Sequence, residues 1–378
     1  LNDIKKGLKE KRIDFVITEN LCSEIAKLGF DPAWGGRALR RVIQEKVENT
    51  IAKAILGEIL KPGDVFEIEP SEWQILVNDQ RAEFYARANN NAISDEINPQ
   101  ADILTHLEDI IHQGLVDQNE AVADLANALR RAAVELKTKE RPVGNFLFLG
   151  PSGVGKTETA KQLARAFFGS EKNMVRLDMG EYQTAESIEK LIGNLQTPGY
   201  FTTLMMENPK TVVLIDEIEK AYPKILNLFL GMLDEGRITD GAGHPVDFTK
   251  SIIIATSNAG SSNIKEAIDK NKRLNAAFKT GLINKLIAQG IFSAEFINRF
   301  DDIVLYKPLT QKETEQVAHL ILQDIVRGLA LKGIELRLSG QLVKKISAIG
   351  FDPVWGGRAL RRVIQEKVEN TIAKAMLS

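Results

Sequence analysis

From Asn145 onward, short apolar runs alternate with amphipathic stretches. Phe146–Leu149, Met174–Leu177, Val212–Ile215, Ile252–Thr256 and Ile303–Tyr306 are almost wholly apolar and too short for helices. That is the signature of strands buried on both faces. The intervals between them carry helical spacing, so crossovers must join the strands. The predicted fold class is α/β, a three-layer sandwich around a mainly parallel sheet. Ligand is expected at the carboxyl ends of the strands.

The flanking regions have a different pattern, and it occurs twice. Phe30 to Leu56 and Phe351 to Leu377 are identical at 25 of 27 positions, with only Ala33/Val354 and Ile55/Met376 differing. At the same offset, Leu1-Asn2-Asp3-Ile4 matches Leu322-Gln323-Asp324-Ile325. A unit of 321 residues therefore ends twice in this chain. Each copy reads as a helix ending near Lys11 or Lys332, a short strand (Ile13–Ile17; Ile334–Leu338), and a helix entered through Thr18 or Ser339. Gly-Phe-Asp-Pro breaks that helix, its glycine reading as an ordinary C-terminal cap. A long helix follows with Val42, Ile43, Val47, Ile51 and Ile55 on one face. After the first copy, Lys61-Pro62-Gly63-Asp64 is a turn before a hairpin, Val65–Glu69 with Trp73–Val77. Residues 78 to 100, with Asn89-Asn90-Asn91 and Pro99, read as a linker, helical in part over Ala82–Ala88. Ala101 to Leu136 is helical, interrupted at Gly114-Leu115-Val116-Asp117.

Chemistry enters after the first apolar strand. Gly150-Pro151-Ser152-Gly153-Val154-Gly155-Lys156-Thr157 fits GxxxxGK[ST] between a strand and the helical stretch Glu158 to Phe168. Glycines let backbone N–H groups close around phosphate, and the new helix presents its positive end to the same anion. Lys156 then reaches the β and γ phosphates, and Thr157 offers its hydroxyl to Mg²⁺. ATP and Mg²⁺ are the expected ligands, contacted by Pro151, Ser152, Gly153, Val154, Gly155, Lys156 and Thr157. The strand Thr211–Ile215 runs into Asp216-Glu217, which places Asp216 beside the metal and leaves Glu217 to activate a water against the γ-phosphate. Ile252–Thr256 ends in Ser257-Asn258. Asn258 either hydrogen-bonds the attacking water or the γ-phosphate, or serves as a turn residue.

Charge and composition narrow the partners. With 49 Lys+Arg against 51 Asp+Glu, the 378-residue chain has a net charge of −2, so no whole-chain field draws it to nucleic acid or to an anionic membrane. Cys22 has no second cysteine to pair with, and His106, His112, His244 and His319 show no metal-ligand spacing. A cytoplasmic setting is the simplest expectation. No apolar run approaches the roughly 20 residues of a membrane span. The chain opens without an initiator Met or a secretion signal, which points to an origin inside a longer polypeptide.

Several stretches, in order, match one family: FLFLGPSGVGKTETAKQLA, MVRLDMGEY, VVLIDEIEKAYP, MLDEGRITDGAGHPVDF, IIIATSNAGS, SAEFINRFDDIV and GGRALRR. The array resembles the C-terminal ATPase module of Clp-type AAA+ unfoldases over Asp102 to Leu377, and the first copy of the repeat resembles the end of such a module. The resemblance implies an AAA+ P-loop NTPase fold with small α/β lid domains in two copies. The divisions it implies are 1–77 (small domain of an upstream module), 78–100 (linker), 101–310 (large ATPase domain) and 311–378 (lid, truncated at its end). It implies an ATP-dependent unfoldase or remodelling chaperone acting on protein substrates as a homo-oligomer, a hexamer in this family. An ATPase subunit of a Clp-like peptidase and a nucleotide-dependent ring scaffold are the alternatives.

The resemblance also implies residue roles. Arg299 matches the arginine finger projected into a neighbouring subunit's site, and Arg358 matches the second sensor arginine carried by the lid. Arg37 is the counterpart of Arg358 in the first copy, with its own nucleotide site upstream of Leu1. Leu115 and Val116 match the segment that packs on adenine, with Asp117 where the family has glycine. The family grips polypeptide with an aromatic-glycine loop, which here is shortened to Gly199-Tyr200-Phe201. Tyr200 and Phe201 either form that loop or are packed residues opening a helix. Arg237–His244 matches a second pore-facing loop. Between Ser261 and Ala277 there is no apolar-Gly-apolar tripeptide of the kind that docks a peptidase or adaptor.

Overall fold

The computed structural model describes residues 1–29, 39–40, 42–77, 99–133, 141–352 and 355–377. Most of the expected linker and Arg37 lie outside the described residues. The chain divides into two compact units, 1–107 with 126–143, and 108–125 with 144–378.

The first unit contains α1 (Asn2–Glu10), β1 (Asp14–Val16), α2 (Glu19–Gly29), a π-helical stretch (Ile43–Glu48) leading into α3 (Asn49–Leu56), β2 (Val65–Glu69) and β3 (Gln74–Val77). α2 begins where expected, since Thr18 Oγ1 accepts from the Leu21 N–H at 3.2 Å. β1 pairs parallel with β2, and β2 pairs antiparallel with β3 as the hairpin pattern predicted. Leu8, Leu21, Ile51, Phe66 and Ile68 form the core, with Phe15 stacked on Phe66 at 4.9 Å. α4 (Pro99–Thr105) also belongs to this unit.

α5 (Leu107–His112) and α6 (Asn119–Ala133) follow, with the break between them at the interruption read from the sequence. The second unit is built on five parallel strands in the order β10-β4-β9-β6-β5: Asp302–Leu305, Gly144–Leu149, Ile252–Ser257, Val212–Asp216 and Met174–Asp178. All five expected strands are present. β4, β6 and β9 are buried throughout, which explains their uninterrupted apolar sequence. The crossovers carry α7 (Lys156–Phe168), α8 (Ser187–Ile192), α9 (Tyr200–Glu207), α10 (Pro223–Glu235), α11 (Ser261–Asp269), α12 (Ala276–Ala288) and α13 (Ala294–Ile297). β7 (Arg237–Thr239) and β8 (Pro245–Asp247) make a separate hairpin. Within the expected second pore-facing loop, Arg237–His244, Arg237, Ile238 and Thr239 are paired as a strand and Asp240 to His244 form the tip of the hairpin. Lys279 of α12 is buried between Asp124 (3.0 Å) and Asp302 (2.9 Å), tying α6 and β10 to one cation.

The lid consists of α14 (Gln311–Ala330), α15 (Gly340–Gly350), α16 (Gly357–Ile364), a π-helical stretch (Gln365–Glu369) and α17 (Asn370–Leu377). Thr310 and Glu313 form a reciprocal capping box at the start of α14. Ser339 caps α15 through the Leu342 N–H at 3.2 Å. The same repeated sequence turns π-helical in both units. Two expectations for the repeat are corrected. Ile334–Leu338 forms no strand, because β1 is held by β2 and no described segment offers Ile334–Leu338 such a neighbour. Gly350 is not a left-handed cap; a Cβ there would lie 2.9 Å from Leu360 Cα, so glycine lets α15 and α16 meet closely. Gly29 faces Leu39 in the same way, with 2.7 Å to its Cα.

Candidate nucleotide-binding site

β4 delivers the Gly150–Gly155 loop to the start of α7. Gly150, Gly153 and Gly155 all have positive φ (156°, 73° and 110°), a backbone that L side chains rarely adopt. Gly153 is constrained a second time, because a Cβ there would sit 2.3 Å from the Trp355 carbonyl oxygen. The lid touches the loop at that point, and the Gly357 N–H donates to the Gly153 carbonyl at 2.8 Å. The repeated Gly-Gly-Arg thus has a mechanical reason: two residues without side chains let the lid backbone reach the loop, and Arg358 follows immediately.

A cavity of about 640 Å³ opens here. Its lining includes Ser152 to Thr157, Asp216, Asn258 and Arg358. Apolar side chains come from Leu115 and Val116 with Leu309, Val317 and Ile321, the last two from α14. Apolar side chains together with a cationic, N–H-rich loop suit a base and a polyphosphate respectively. Ser152 Oγ is buried without a hydrogen-bond partner, a need that a phosphate oxygen meets. Pro151 does not line the cavity; its carbonyl accepts from Lys156 Nζ at 3.0 Å.

Lys156 is folded into the loop. Its ammonium reaches the Asn258 Oδ1 (2.9 Å) and Ser257 carbonyl (3.3 Å) and also donates to the Gly150 carbonyl. Burial pushes its pKa down to about 8 against the attraction of Asp216 and Glu219, with Arg358 adding to the depression. Asp216 and Asn258 thus stand beside Lys156, as expected for neighbouring strand ends. Asn258 is a polar partner of the loop lysine, and its carbonyl also accepts from the Ser261 N–H, so it stands both beside the loop and in a turn.

Asp216 accepts from Thr256 Oγ1 and is paired with Arg176 at 2.7 Å. Thr157 and Asp216 both line the cavity. Among the described residues no group of three or more His, Cys, Asp or Glu could hold a metal alone. A Mg²⁺ would therefore take the Thr157 hydroxyl and the Asp216 carboxylate and complete its shell from phosphate and water, as this ion usually does. Glu217 has φ 55° and directs its carboxylate to Lys220 at 2.5 Å, outside the cavity lining.

Arg299 also lies outside the cavity, ion-paired to Asp234 and Glu295 at 3.5 Å each. Tyr200 and Phe201 open α9 and separate. Tyr200 is 54% exposed and borders a second cavity of about 480 Å³ with Arg176, Tyr182 and Lys190. Phe201 is 0% exposed, packed on Phe248 at 5.2 Å and Phe229 at 6.4 Å, so it is a core residue and not a pore contact. Sequence reasoning missed Thr256, Arg176 and Glu219. Arg176 shares its strand with the charged Asp178, so nothing in the local sequence singled it out.

Comparison with known proteins agrees with this geometry. Residues 141–303 match the family described as AAA domain (Cdc48 subfamily). Residues 1–68 and 309–378 each match the C-terminal, D2-small domain of ClpB protein. Chaperone protein ClpB of Meiothermus ruber is 42% identical over 283 residues, covering 73% of this chain and 33% of its own length. Chaperone protein ClpB of Vibrio vulnificus is 36% identical over 325 residues, covering 82% and 37%. The ATP-dependent Clp protease ATP-binding subunit ClpA homolog of Cyanidium caldarium is 39% identical over 295 residues, covering 74% and 34%. This chain thus matches little more than a third of the length of these relatives.

Proposed function

Because this chain belongs to the Clp-type AAA+ ATPases, we propose that it is the ATP-hydrolysing module of a cytoplasmic protein-remodelling chaperone or unfoldase that works as a hexameric ring. The observation that carries the reading is the split of the catalytic set. One chain brings Lys156, Asp216, Asn258 and Arg358 to a single cavity and keeps Arg299 outside it. A guanidinium supplied by a neighbouring protomer completes the charge needed on the γ-phosphate.

The residues divide the work. The loop N–H groups and Lys156 hold the phosphates, and Leu115 and Val116 with α14 hold the base. A Mg²⁺ held by Thr157 and Asp216 would supply charge neutralisation to the phosphates. Asn258 orients the attacking water, and Glu217 takes its proton after leaving Lys220. The new bond forms from water oxygen to the γ-phosphorus as the bond to the ADP oxygen breaks. Arg358, hinged on the Gly153–Gly357 contact, couples loss of the γ-phosphate to the angle of the lid.

Mixing unmodified subunits with Arg299→Ala subunits tests the shared site. Total hydrolysis should fall more steeply than simple dilution, and a linear fall would count against a finger acting in trans. Burial of Phe201 favours a second reading, a ring scaffold that binds ATP without threading polypeptide, because it leaves Tyr200 as the only exposed aromatic of its loop. The printed name of the Cyanidium caldarium relative keeps a peptidase-regulating role in view.

A further inference from the structure

Glu219 is left without a role by the reading above, although it bonds Asn258 and lies close enough to act on Lys156. Ile218 is fully buried in the core, so the turn Ile218–Lys220 after β6 sends its two flanking carboxylates elsewhere. Glu217 goes to Lys220. Glu219 crosses to the end of β9, where its Oε1 accepts from the Asn258 backbone N–H at 3.1 Å. Its Oε2 is buried with no hydrogen-bond partner. A carboxylate oxygen desolvated in this way is costly. The nearby Lys156 ammonium, on which Glu219 acts electrostatically, offsets that cost.

From this juxtaposition we infer that Glu219 is a positioning residue for ATP hydrolysis, fixing the Asn258 main chain so that its side-chain amide stays aimed at Lys156 and the γ-phosphate. Asn258 is also held through its Oδ1, which accepts from Lys156 Nζ at 2.9 Å, and through its carbonyl, which accepts from the Ser261 N–H at 3.2 Å. Among the described residues, the hydrogen bond to Glu219 is the one that ties it to the turn following Asp216 and Glu217. Through that tie, the water-orienting amide and the water-activating carboxylate share one turn, and a shift of either strand end moves both. The inference rests on the ATPase reading.

The test uses the full chain with Mg·ATP and compares Glu219→Ala and Glu219→Gln, each also combined with Asn258→Ala. Glutamine keeps an oxygen for the N–H, whereas alanine removes it. Glu219→Ala should lower kcat by about tenfold or more and change KM by less than about threefold. Glu219→Gln should recover most of kcat. In the Asn258→Ala background, Glu219→Ala should add little, because residues acting through one another are non-additive. Binding of fluorescent ADP by every variant checks that the site is folded. Unchanged kcat in Glu219→Ala, an equal loss in Glu219→Gln, or additive effects with Asn258→Ala would each overturn the inference alone. Absence of hydrolysis by the unmodified chain would overturn the ATPase reading and the inference with it.

Discussion

Lys156 must be charged to hold phosphate, yet burial brings its pKa to about 8. As pH rises through that value the free site loses its ammonium, and nucleotide affinity should fall by up to about tenfold per further pH unit. ADP titrations between pH 6.5 and 9.5 would read this, and a flat profile would contradict it. The linkage for folding has the opposite sense. Because the folded pKa lies below the ordinary lysine value of 10.5, the folded chain binds fewer protons between about 8 and 10.5, and this group's contribution to stability rises with pH across that window. Glu217→Gln should still bind Mg·ATP but lose at least about 100-fold in turnover, measured by phosphate release. The loop and the paired carboxylates could be read from sequence because their spacing is local. Thr256, Arg176 and Glu219 could not, because they join the site only through the adjacency of β9, β6 and β5, an order that the linear chain does not reveal.

Among the elements, the break between α5 and α6 shows how a departure from the family pattern is accommodated. Asp117 and Gln118 both have positive φ (56° and 62°), which explains why the family has glycine at the first position. Asp117 tolerates the conformation and pairs with Lys307 at 2.5 Å, while the Gln118 amide bonds both the carbonyl and N–H of Lys307 at 2.9 and 3.0 Å. The segment proposed to hold the base is thereby fastened to the strand-to-lid connection. Asp117→Gly should change stability by less than about 1 kcal/mol, since relief of left-handed strain offsets loss of a partly exposed ion pair. Asp117→Val should cost more than about 1 kcal/mol in chemical denaturation, because a β-branched residue fits that backbone poorly. Strands buried on both faces were legible from apolar runs alone. Ile334–Leu338 misled because its composition suits a strand, yet a strand exists only through its neighbour. β7 and β8 escaped because three-residue strands carry too little pattern.

For the whole molecule, the repeat matters most. Nearly identical sequence gives the same π-helical stretch and the same close glycine approach in each unit, so this local architecture is written into the repeated segment itself. Whether the proposed ring threads polypeptide turns on Tyr200. Tyr200→Ala should abolish unfolding of a tagged substrate while leaving ATP hydrolysis within about twofold, if that exposed ring grips the chain. Preserved unfolding would remove Tyr200 from the task, and no unfolding by the unmodified ring would favour a scaffold. The contact between Gly153 and the lid has a sharper consequence. A single methyl at Gly153 would meet the Trp355 oxygen at 2.3 Å, so it would act as a wedge. On the function proposed above, the loop could still fill while Arg358 was propped away from it, and a motor that binds its fuel would be unable to feel it burn.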